Sequence, residues 1–241
     1  MPDGRRLYAV IVAGFDTASD GIAREMVLLQ QARPALLLWH SKAPALVLPA
    51  ALMRQADVQQ AAAQVGGLGW PVVTRRSGGG IVPQGPGTLN LALVLPAAQG
   101  FRLEDGYRLI CGAVAEALSR FDIRATTGAC DHAFCDGAWN VLVAGRKLAG
   151  TAQRWRSAAT GPVVLAHAAI LMARPDAAFW PVMDALHRAA FPGSDGLRPA
   201  AHVALADLIG ARTNPESFPG ALARAAEDRL TSLMRRDYQA A

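Results

Sequence analysis

Apolar residues recur with the spacing of a helix in several parts of the chain. In residues 18–32, Ile22, Met26 and Leu29 fall on one helical face. Pro34 follows and ends this helix. The same periodicity predicts further helices at 51–65, 103–121, 175–190, 200–209 and 215–237.

Shorter runs of continuous or alternating apolar residues predict strands. Two runs, at 35–40 and 45–48, predict a pair of strands joined through Ser41 and Lys42. Further strands are predicted at 7–15, 71–75, 88–95, 139–144, 147–153 and 162–172. Because strands and helices are interspersed without strict alternation, we expect a mixed sheet flanked by helices, α+β or α/β. Glycine and proline are scattered and no repeat is visible, so residues 1–241 predict a single domain.

Composition restricts the class of protein. Of the 241 residues, 52% are hydrophobic and 18% charged, which excludes a disordered chain. No apolar run reaches the roughly 18–20 residues that span a bilayer. The net charge of +5 is spread along the chain without basic blocks, so an acidic partner or anionic ligand fits as well as nucleic acid or a membrane surface. The three cysteines argue against a disulfide framework and predict a cytoplasmic protein.

Lysine is rare in this chain. Of the 24 basic residues 22 are arginine, and the lysines are Lys42 and Lys147. Lys147 lies in a predicted strand among apolar neighbours, where its ammonium could neutralise a phosphate or a developing oxyanion. The alternative is a solvent-facing residue of a hairpin.

A glycine-rich segment over residues 75–87 separates two predicted strands. Its first part contains Arg75, Ser77, Gly78, Gly79 and Gly80. Consecutive glycines let the backbone approach a ligand closely, and an adjacent arginine can pair with a carboxylate or phosphate. The segment matches neither the P-loop nor the dinucleotide-binding motif. Taken alone, it is either a structural turn or a binding loop.

Two cysteines and one histidine lie close together at Cys130, His132 and Cys135. A fourth zinc ligand is missing and the spacing fits no standard finger, so we predict no metal site. Cys135 is either a thiolate nucleophile activated by a nearby cation or a buried, inert thiol. His167, in an apolar run, is either a core histidine or a residue that orients a carboxylate or carbonyl group.

Together these segments resemble the lipoate-protein ligase A family, within the group that includes biotin-protein ligases and octanoyl transferases. One part of the resemblance is R-x-S-G-G-G at Arg75–Gly80 with G-x-L-N at Gly87, Leu89 and Asn90. The strongest part is G-R-K-L-x-G-x-A-Q over residues 145–153, which contains Lys147, Gly150, Thr151 and Ala152. His167 falls where the family has a histidine on the next strand.

The resemblance implies a fold and an activity. The fold would be a mixed, largely antiparallel sheet flanked by helices, like those of class II aminoacyl-tRNA synthetases and biotin-protein ligases. The activity would be attachment of a lipoyl or octanoyl group to a lysine of a lipoyl carrier domain, from a 2-oxoacid dehydrogenase or the glycine cleavage H protein. Neither nucleic acid nor a membrane would be a partner.

In the ligase version, which we favour at this point, lipoate or octanoate reacts with ATP and Mg²⁺ to form an acyl-adenylate. Lys147 would be the catalytic residue, binding the α-phosphate and carbonyl oxygens. The glycine loop would line the acyl tunnel, with Arg75 and Asn90 at its polar end. Some ligases add a C-terminal accessory domain; we expect that function, if present, on a separate protein.

Several positions depart from the ligase pattern. Pro49 replaces a family glycine, Gln84 and Gly85 replace a common His-Asp pair, and Asn140 replaces an aspartate. These departures weaken the predicted ATP site. The F-C-x-G segment at Cys135 instead resembles the amidotransferase relatives, in which the cysteine would carry the acyl group as a thioester without ATP. A third alternative is a binding protein that kept the fold and lost the chemistry.

Overall fold

A computed structural model describes residues 8–135, 137–210 and 214–239. The strands are β1 (Ala9–Phe15), β2 (Ala35–Ser41), β3 (Ala45–Pro49), β4 (Val72–Arg75), β5 (Val82–Gln84), β6 (Thr88–Pro96), β7 (Thr126–Gly128), β8 (Asn140–Val143), β9 (Arg146–Ala158) and β10 (Gly161–Leu171). The α-helices are α1 (Ala18–Gln31), α2 (Ala56–Gly67), α3 (Leu103–Ser119), α4 (Phe179–Ala190), α5 (Leu205–Leu208) and α6 (Phe218–Gln239). Short 3₁₀ helices cover Leu52–Arg54, Pro199–Ala201 and Pro215–Ser217. In the described ranges, no helix is both long and apolar enough to cross a bilayer.

The strands form two sheets. The larger sheet has the order β1-β2-β6-β10-β9-β8-β7, in which β1 and β2 are parallel and the other neighbours antiparallel. The smaller sheet has the order β4-β3-β5, with β3 parallel to β4 and antiparallel to β5. This architecture confirms the predicted α+β class with a mixed, largely antiparallel sheet flanked by helices.

The predicted pairing of residues 35–40 with 45–48 is wrong. β2 lies between β1 and β6 in the larger sheet, whereas β3 is the central strand of the smaller sheet. After β2, the N–H groups of Lys42 and Ala43 donate to the carbonyl oxygens of Phe15 (2.9 Å) and Asp16 (3.0 Å). The linker therefore continues alongside β1 instead of turning back. Both strands are buried on both faces, and each gains two neighbours in its own sheet.

The predicted helix over 200–209 is also different in the structure. Here the chain forms the 3₁₀ helix Pro199–Ala201, an extended stretch at 202–204 and the single-turn α5. The stretch is extended because its backbone pairs with β9: Val203 N–H donates to the carbonyl of Lys147 at 2.9 Å. Tertiary pairing thus overrides local helix propensity. The three-residue strands β5 and β7 were not predicted, since they are too short to show a periodicity.

Most buried apolar residues in the described ranges belong to three clusters. One face of the larger sheet, with Leu36, Leu91 and Leu93, packs against α3 and α6. The opposite face, with Leu37 and Trp39, packs against α1. The smaller sheet packs with α2 and α4 in a further apolar cluster that also contains Cys135. The contact between the two sheets is where the predicted site residues converge.

Gly21 in α1 provides a test of this packing. A methyl group on Gly21 would lie 2.3 Å from the indole ring of Trp39, which is itself buried. We expect Gly21→Ala to lower the free energy of unfolding by about 1–3 kcal/mol through overpacking. The intrinsic helix preference of alanine, about 1 kcal/mol, acts in the opposite direction. Urea denaturation measures the difference.

Gly66→Ala in α2 is the matched control. Gly66 is exposed, and a methyl group there would meet nothing within 4 Å. We expect this change to stabilise the protein by about 0.5–1 kcal/mol. Equal stabilisation by both substitutions would contradict the close contact between Gly21 and Trp39.

Candidate functional site

A small cavity between the two sheets brings together many of the predicted site residues. It is lined by the predicted residues Arg75, Asn90, Cys135, Gly150, Thr151, Ala152 and His167. Residues that we did not propose for the site also line it, among them Glu25 and Trp39. The cavity has a free volume of about 40 Å³, enough for a few water molecules. Seven predicted site residues do not line it: Ser77, Gly78, Gly79, Gly80, Gly87, Asn140 and Lys147.

The guanidinium group of Arg75 organises the glycine loop from within. Its Nη2 donates to the carbonyl oxygens of Gly78 (2.8 Å) and Gly80 (2.7 Å), and its Nη1 donates to Val47 (3.1 Å). Its Nε donates to Ser77 Oγ at 3.1 Å. Burial lowers the pKa of Arg75, against the opposing effect of Cys135 and Glu25. Arg75 therefore shapes the loop through the loop's own carbonyl groups.

Cys135 lies directly against the triple glycine. The N–H of Gly80 donates to Cys135 Sγ at 2.9 Å. A methyl group on Gly80 would lie 2.8 Å from the Cys135 Cα, and one on Gly79 would lie 2.9 Å from Sγ. Gly79 also has a φ of +92°, which favours glycine. Gly79 and Gly80 are thus required by the close approach of the cysteine, whereas a methyl group on Gly78 would meet nothing within 4 Å.

Lys147 is fully buried behind Cys135. Its Nζ donates to the carbonyl oxygens of Phe134 and Cys135, the latter at 2.6 Å. It also lies 4.8 Å from the centre of the Phe134 ring. Gly150 leaves room for the ammonium, since a methyl group there would be 3.1 Å from Nζ. The alternative of a solvent-facing lysine is therefore wrong, and the ammonium is desolvated.

The hairpin between β8 and β9 sets the register of Lys147. Its two connecting residues, Ala144 and Gly145, both have positive φ, as in a type I′ turn. The pairing then places Lys147 opposite Leu142, with a bulge at the neighbouring pair. This turn directs the lysine side chain inward.

His167 joins three elements around the cavity. Its Nδ1 lies 2.8 Å from Glu25 Oε2, and its Nε2 lies 2.9 Å from Ser77 Oγ. Trp39 Nε1–H donates to Glu25 Oε1 at 2.9 Å. The buried Glu25 carboxylate thus connects α1 and β2 to the histidine on β10. Sequence reasoning did not single out Glu25 or Trp39 for the site, since each lies in an otherwise ordinary apolar segment.

The remaining predicted polar residues have partners within the protein. The amides of Asn90 and Gln84 bond to each other at 2.7 and 2.8 Å. Asn140 Nδ2 donates to the carbonyl of Gly137 at 2.7 Å. Thr151 Oγ1 donates to the carbonyl of Trp139 at 2.5 Å. In the described ranges, no group of three or more metal-ligating side chains is arranged to hold a metal ion.

His202 also contacts the cysteine segment and was missed by the sequence analysis. Its Nε2 accepts a hydrogen bond from Phe134 N–H at 3.1 Å, and its ring stacks on Phe134 with centroids 4.2 Å apart. Its Nδ1 lies 3.0 Å from the carbonyl oxygen of Arg198. Burial, assisted by the positive charge of Lys147, lowers the pKa of His202 to about 4.

The family of the chain follows from its match to a family model. The model of the lipoyl protein ligase A/B catalytic domain matches residues 18–223. The chain belongs to this family. The resemblance drawn from the glycine-rich and lysine-containing motifs is thereby confirmed.

Individual relatives of the lipoyl protein ligase A/B family include two sequence matches and a solved structure. An uncharacterised protein of Cupriavidus necator is 39% identical over 174 residues, 66% of this chain and 68% of that protein. An octanoyl-[GcvH]:protein N-octanoyltransferase of Kyrpidia tusciae is 43% identical over 94 residues, 39% of this chain and only 33% of the transferase. The chain thus aligns with one third of that enzyme. A lipoate-protein ligase A bound with ATP has the same fold, with a TM-score of 0.70 at 16% identity over 93% of this chain and 85% of that one.

The low pKa of His202 predicts a pH-dependent stability. Between its unfolded pKa of 6.5 and its folded pKa of about 4, the unfolded chain binds a proton that the folded chain does not. The free energy of unfolding should therefore fall as the pH drops through this window, by up to about 3 kcal/mol from this residue. We expect His202→Gln to remove this part of the decrease, measured by urea denaturation between pH 7 and pH 4.

His40→Gln is the control for this measurement, because His40 is exposed. Because His40→Gln leaves His202 in place, the decrease assigned to His202 should remain in this variant. A wild-type slope in His202→Gln would contradict the assignment of this acid sensitivity to His202.

Proposed function

We propose that this protein is a cysteine-dependent acyltransferase. It moves an octanoyl or lipoyl group from the lysine of one lipoyl carrier domain to the lysine of another, through a thioester on Cys135. The proposal follows the amidotransferase alternative of the sequence analysis, not the ATP-dependent ligase favoured there. Lys147 and the glycine loop serve both chemistries, so these motifs do not separate the two.

The observation that carries the proposal is the environment of Cys135 Sγ. The thiol lines the cavity and accepts a hydrogen bond from Gly80 N–H at 2.9 Å. A backbone N–H directed at the sulfur stabilises its thiolate form, and the thiolate is the nucleophile. Cys111 shows the contrasting case, since burial raises the pKa of its thiol to about 11. Cys135 has the surroundings of a reactive thiol and Cys111 those of an inert one.

In the first step, the thiolate of Cys135 attacks the carbonyl carbon of the acyl-lysine amide on the donor carrier. A C–S bond forms, the C–N bond breaks, and the departing lysine nitrogen takes up the proton that the Cys135 thiol gave up on ionising, so the donor lysine leaves as a neutral amine. In the second step, the neutral amine of the acceptor lysine attacks the thioester carbonyl. A C–N bond forms, the C–S bond breaks, and the acceptor nitrogen loses a proton as the Cys135 thiol is restored.

The role of Lys147 in both steps is electrostatic. Its buried ammonium lies beside the backbone of Cys135, and it is held there by the carbonyl groups of Phe134 and Cys135. A fixed positive charge in a site of low dielectric constant stabilises the oxyanion that develops at the acyl carbonyl. The N–H of Gly80, which contacts Cys135 Sγ, is a further hydrogen-bond donor at the site.

The polar contacts near β5 also support a reaction without ATP. Gln84 occupies a position where the ligases that this chain resembles have histidine, and its amide is bonded to that of Asn90. These two side chains thus bond to each other within the cavity wall. The ATP-dependent ligase, with lipoate or octanoate and Mg²⁺, remains the competing outcome of the experiment below.

The proposed partners are the glycine cleavage H protein, which appears as GcvH in the name of the Kyrpidia tusciae relative, and the lipoyl domains of 2-oxoacid dehydrogenases. The net charge of +5 favours encounter with an acidic partner. Transfer should therefore slow as salt is added.

Mass spectrometry of an acceptor carrier domain tests the function in two reactions. One supplies lipoate or octanoate with Mg-ATP, and the other supplies an octanoylated H protein as donor without nucleotide. We expect the acceptor mass to increase by one octanoyl group only in the second reaction. Modification only in the first would establish the ligase instead, and modification in neither would contradict both.

Substitution of the cysteines separates the mechanisms within one protein. Cys135→Ser should reduce transfer from the octanoylated carrier by at least about 10³-fold, because a serine hydroxyl is not ionised at neutral pH. Cys111→Ser is the matched control and should keep wild-type transfer. Trapping of an octanoyl group on the Cys135 peptide, seen by mass spectrometry, should be lost in Cys135→Ser alone.

The two lysines offer a second matched pair. Lys147→Met keeps the approximate volume of the side chain and removes its charge, so transfer should fall by about 10²–10³-fold. Lys42 is exposed and paired with Asp16 at 2.8 Å, and Lys42→Met should leave transfer unchanged. Wild-type transfer by a folded Lys147→Met protein, with folding checked by circular dichroism, would overturn the role of Lys147.

A further inference from the structure

His202 has no part in the chemical steps above, yet it contacts the backbone that carries the cysteine. It lies in the extended stretch after Pro199–Ala201 and is 3% exposed. The same stretch is bonded to β9 through Val203 N–H and the carbonyl of Lys147, at 2.9 Å. A segment far from Cys135 in sequence thus reaches both Lys147 and the residue before the cysteine.

The contacts of His202 define its tautomer. A backbone N–H can only donate, so His202 Nε2 must accept from Phe134 N–H. The ring proton of the neutral imidazole is then on Nδ1, where it donates to the carbonyl of Arg198 at 3.0 Å. The low pKa of His202, about 4, keeps the ring neutral at physiological pH. Nε2 is therefore available as an acceptor throughout the neutral range.

The two polar backbone groups of Phe134 are both held by side chains from elsewhere in the fold. His202 accepts from its N–H, and Lys147 donates to its carbonyl oxygen. The next residue, Cys135, has a φ of +57°, a conformation that costs a non-glycine residue about 1 kcal/mol or more. This conformation brings Sγ against Gly80 N–H. If the hydrogen bonds to Phe134 are lost, we expect the segment to relax and Cys135 Sγ to move away from Gly80 N–H.

We propose that His202 is a positioning residue for acyl transfer: as a neutral hydrogen-bond acceptor, it holds the Phe134–Cys135 segment so that Cys135 Sγ meets Gly80 N–H. The inference rests on the proposed function for its catalytic meaning. The geometric part concerns the free protein and can be tested without any acyl substrate.

Two substitutions of His202 distinguish a positioning role from a purely packing role. The His202 ring stacks on Phe134 and lies 4.9 Å from the Trp180 ring, centre to centre. His202→Phe keeps an aromatic ring but has no acceptor. His202→Gln loses the ring but can place its Oε1 near the position of Nε2. Packing therefore favours the Phe variant, and positioning favours the Gln variant.

The rate of Cys135 alkylation by iodoacetamide, followed by mass spectrometry of its peptide from pH 5 to 10, reports on the sulfur directly. The midpoint of the profile measures thiolate stabilisation, and the plateau measures access. We expect the midpoint to rise by about one pH unit in His202→Phe, because the Gly80 N–H is no longer aligned with the sulfur. In His202→Gln it should stay within about 0.3 units of wild type. The rate of transfer from the octanoylated carrier should fall about tenfold in His202→Phe and less than about threefold in His202→Gln.

The proposal would be overturned if the midpoint of the alkylation profile were unchanged in both variants, or shifted equally in both. A larger shift in His202→Gln than in His202→Phe would also overturn it. Absence of transfer by the wild-type protein would overturn the proposed function, while the alkylation profiles would still decide the geometry. The two failures are thus distinguishable.

Nitrogen-15 NMR of the histidine rings tests the proposal on the wild-type protein, so this test stands even where a variant fails to fold. The His202 signals are assigned in the wild-type protein itself, by through-bond correlation of the ring with its backbone resonances. We expect a protonated Nδ1 and an unprotonated Nε2 at pH 7. A proton on Nε2 would overturn the proposal, since that nitrogen could no longer accept from Phe134.

Discussion

The buried ammonium of Lys147 is the constraint on which the site depends. A desolvated charge is costly unless hydrogen-bond acceptors surround it, and here these are the carbonyl oxygens of Phe134 and Cys135. To supply them, the segment before β8 must pass directly over the start of β9. This arrangement includes three further features. Cys135 has a positive φ, Phe134 N–H donates to His202, and Gly150 leaves room for the Lys147 ammonium.

A second buried cation, Arg75, lines the cavity itself. Arg75 holds the glycine loop through carbonyl groups, as Lys147 holds the cysteine segment. The two segments meet where Gly80 N–H contacts Cys135 Sγ. Cys135 thus lies where two segments held by buried cations meet, with a backbone N–H directed at its sulfur. Both the proposed thioester reaction and the alternative acyl-adenylate reaction develop negative charge that such cations stabilise.

Much of this site was accessible from sequence because its parts are local. The motif around Arg75 and the turn before Lys147 both contain glycines with positive φ, a conformation that glycine adopts without steric cost and that depends only on local backbone geometry. The rarity of lysine singled out Lys147, and the strand pattern around it left two alternatives open, a desolvated charge and a solvent-facing residue of a hairpin. The large helices and most strands followed from periodicity alone. The resemblance of two motifs in the right order then identified the family.

Contacts between distant segments were decided only by the tertiary structure. Gly80 and Cys135 are far apart in the chain, as are His167 and Glu25, and no periodicity relates such pairs. His202 lies in a stretch with helical propensity that becomes extended because it pairs with β9. The separation of β2 and β3 into two sheets likewise reflects the neighbours that each apolar strand finds. The sequence by itself determined the chemical groups and most of the local conformations. Packing and long-range backbone pairing decided which of those groups meet, and the conformation around His202, because both depend on the whole chain at once.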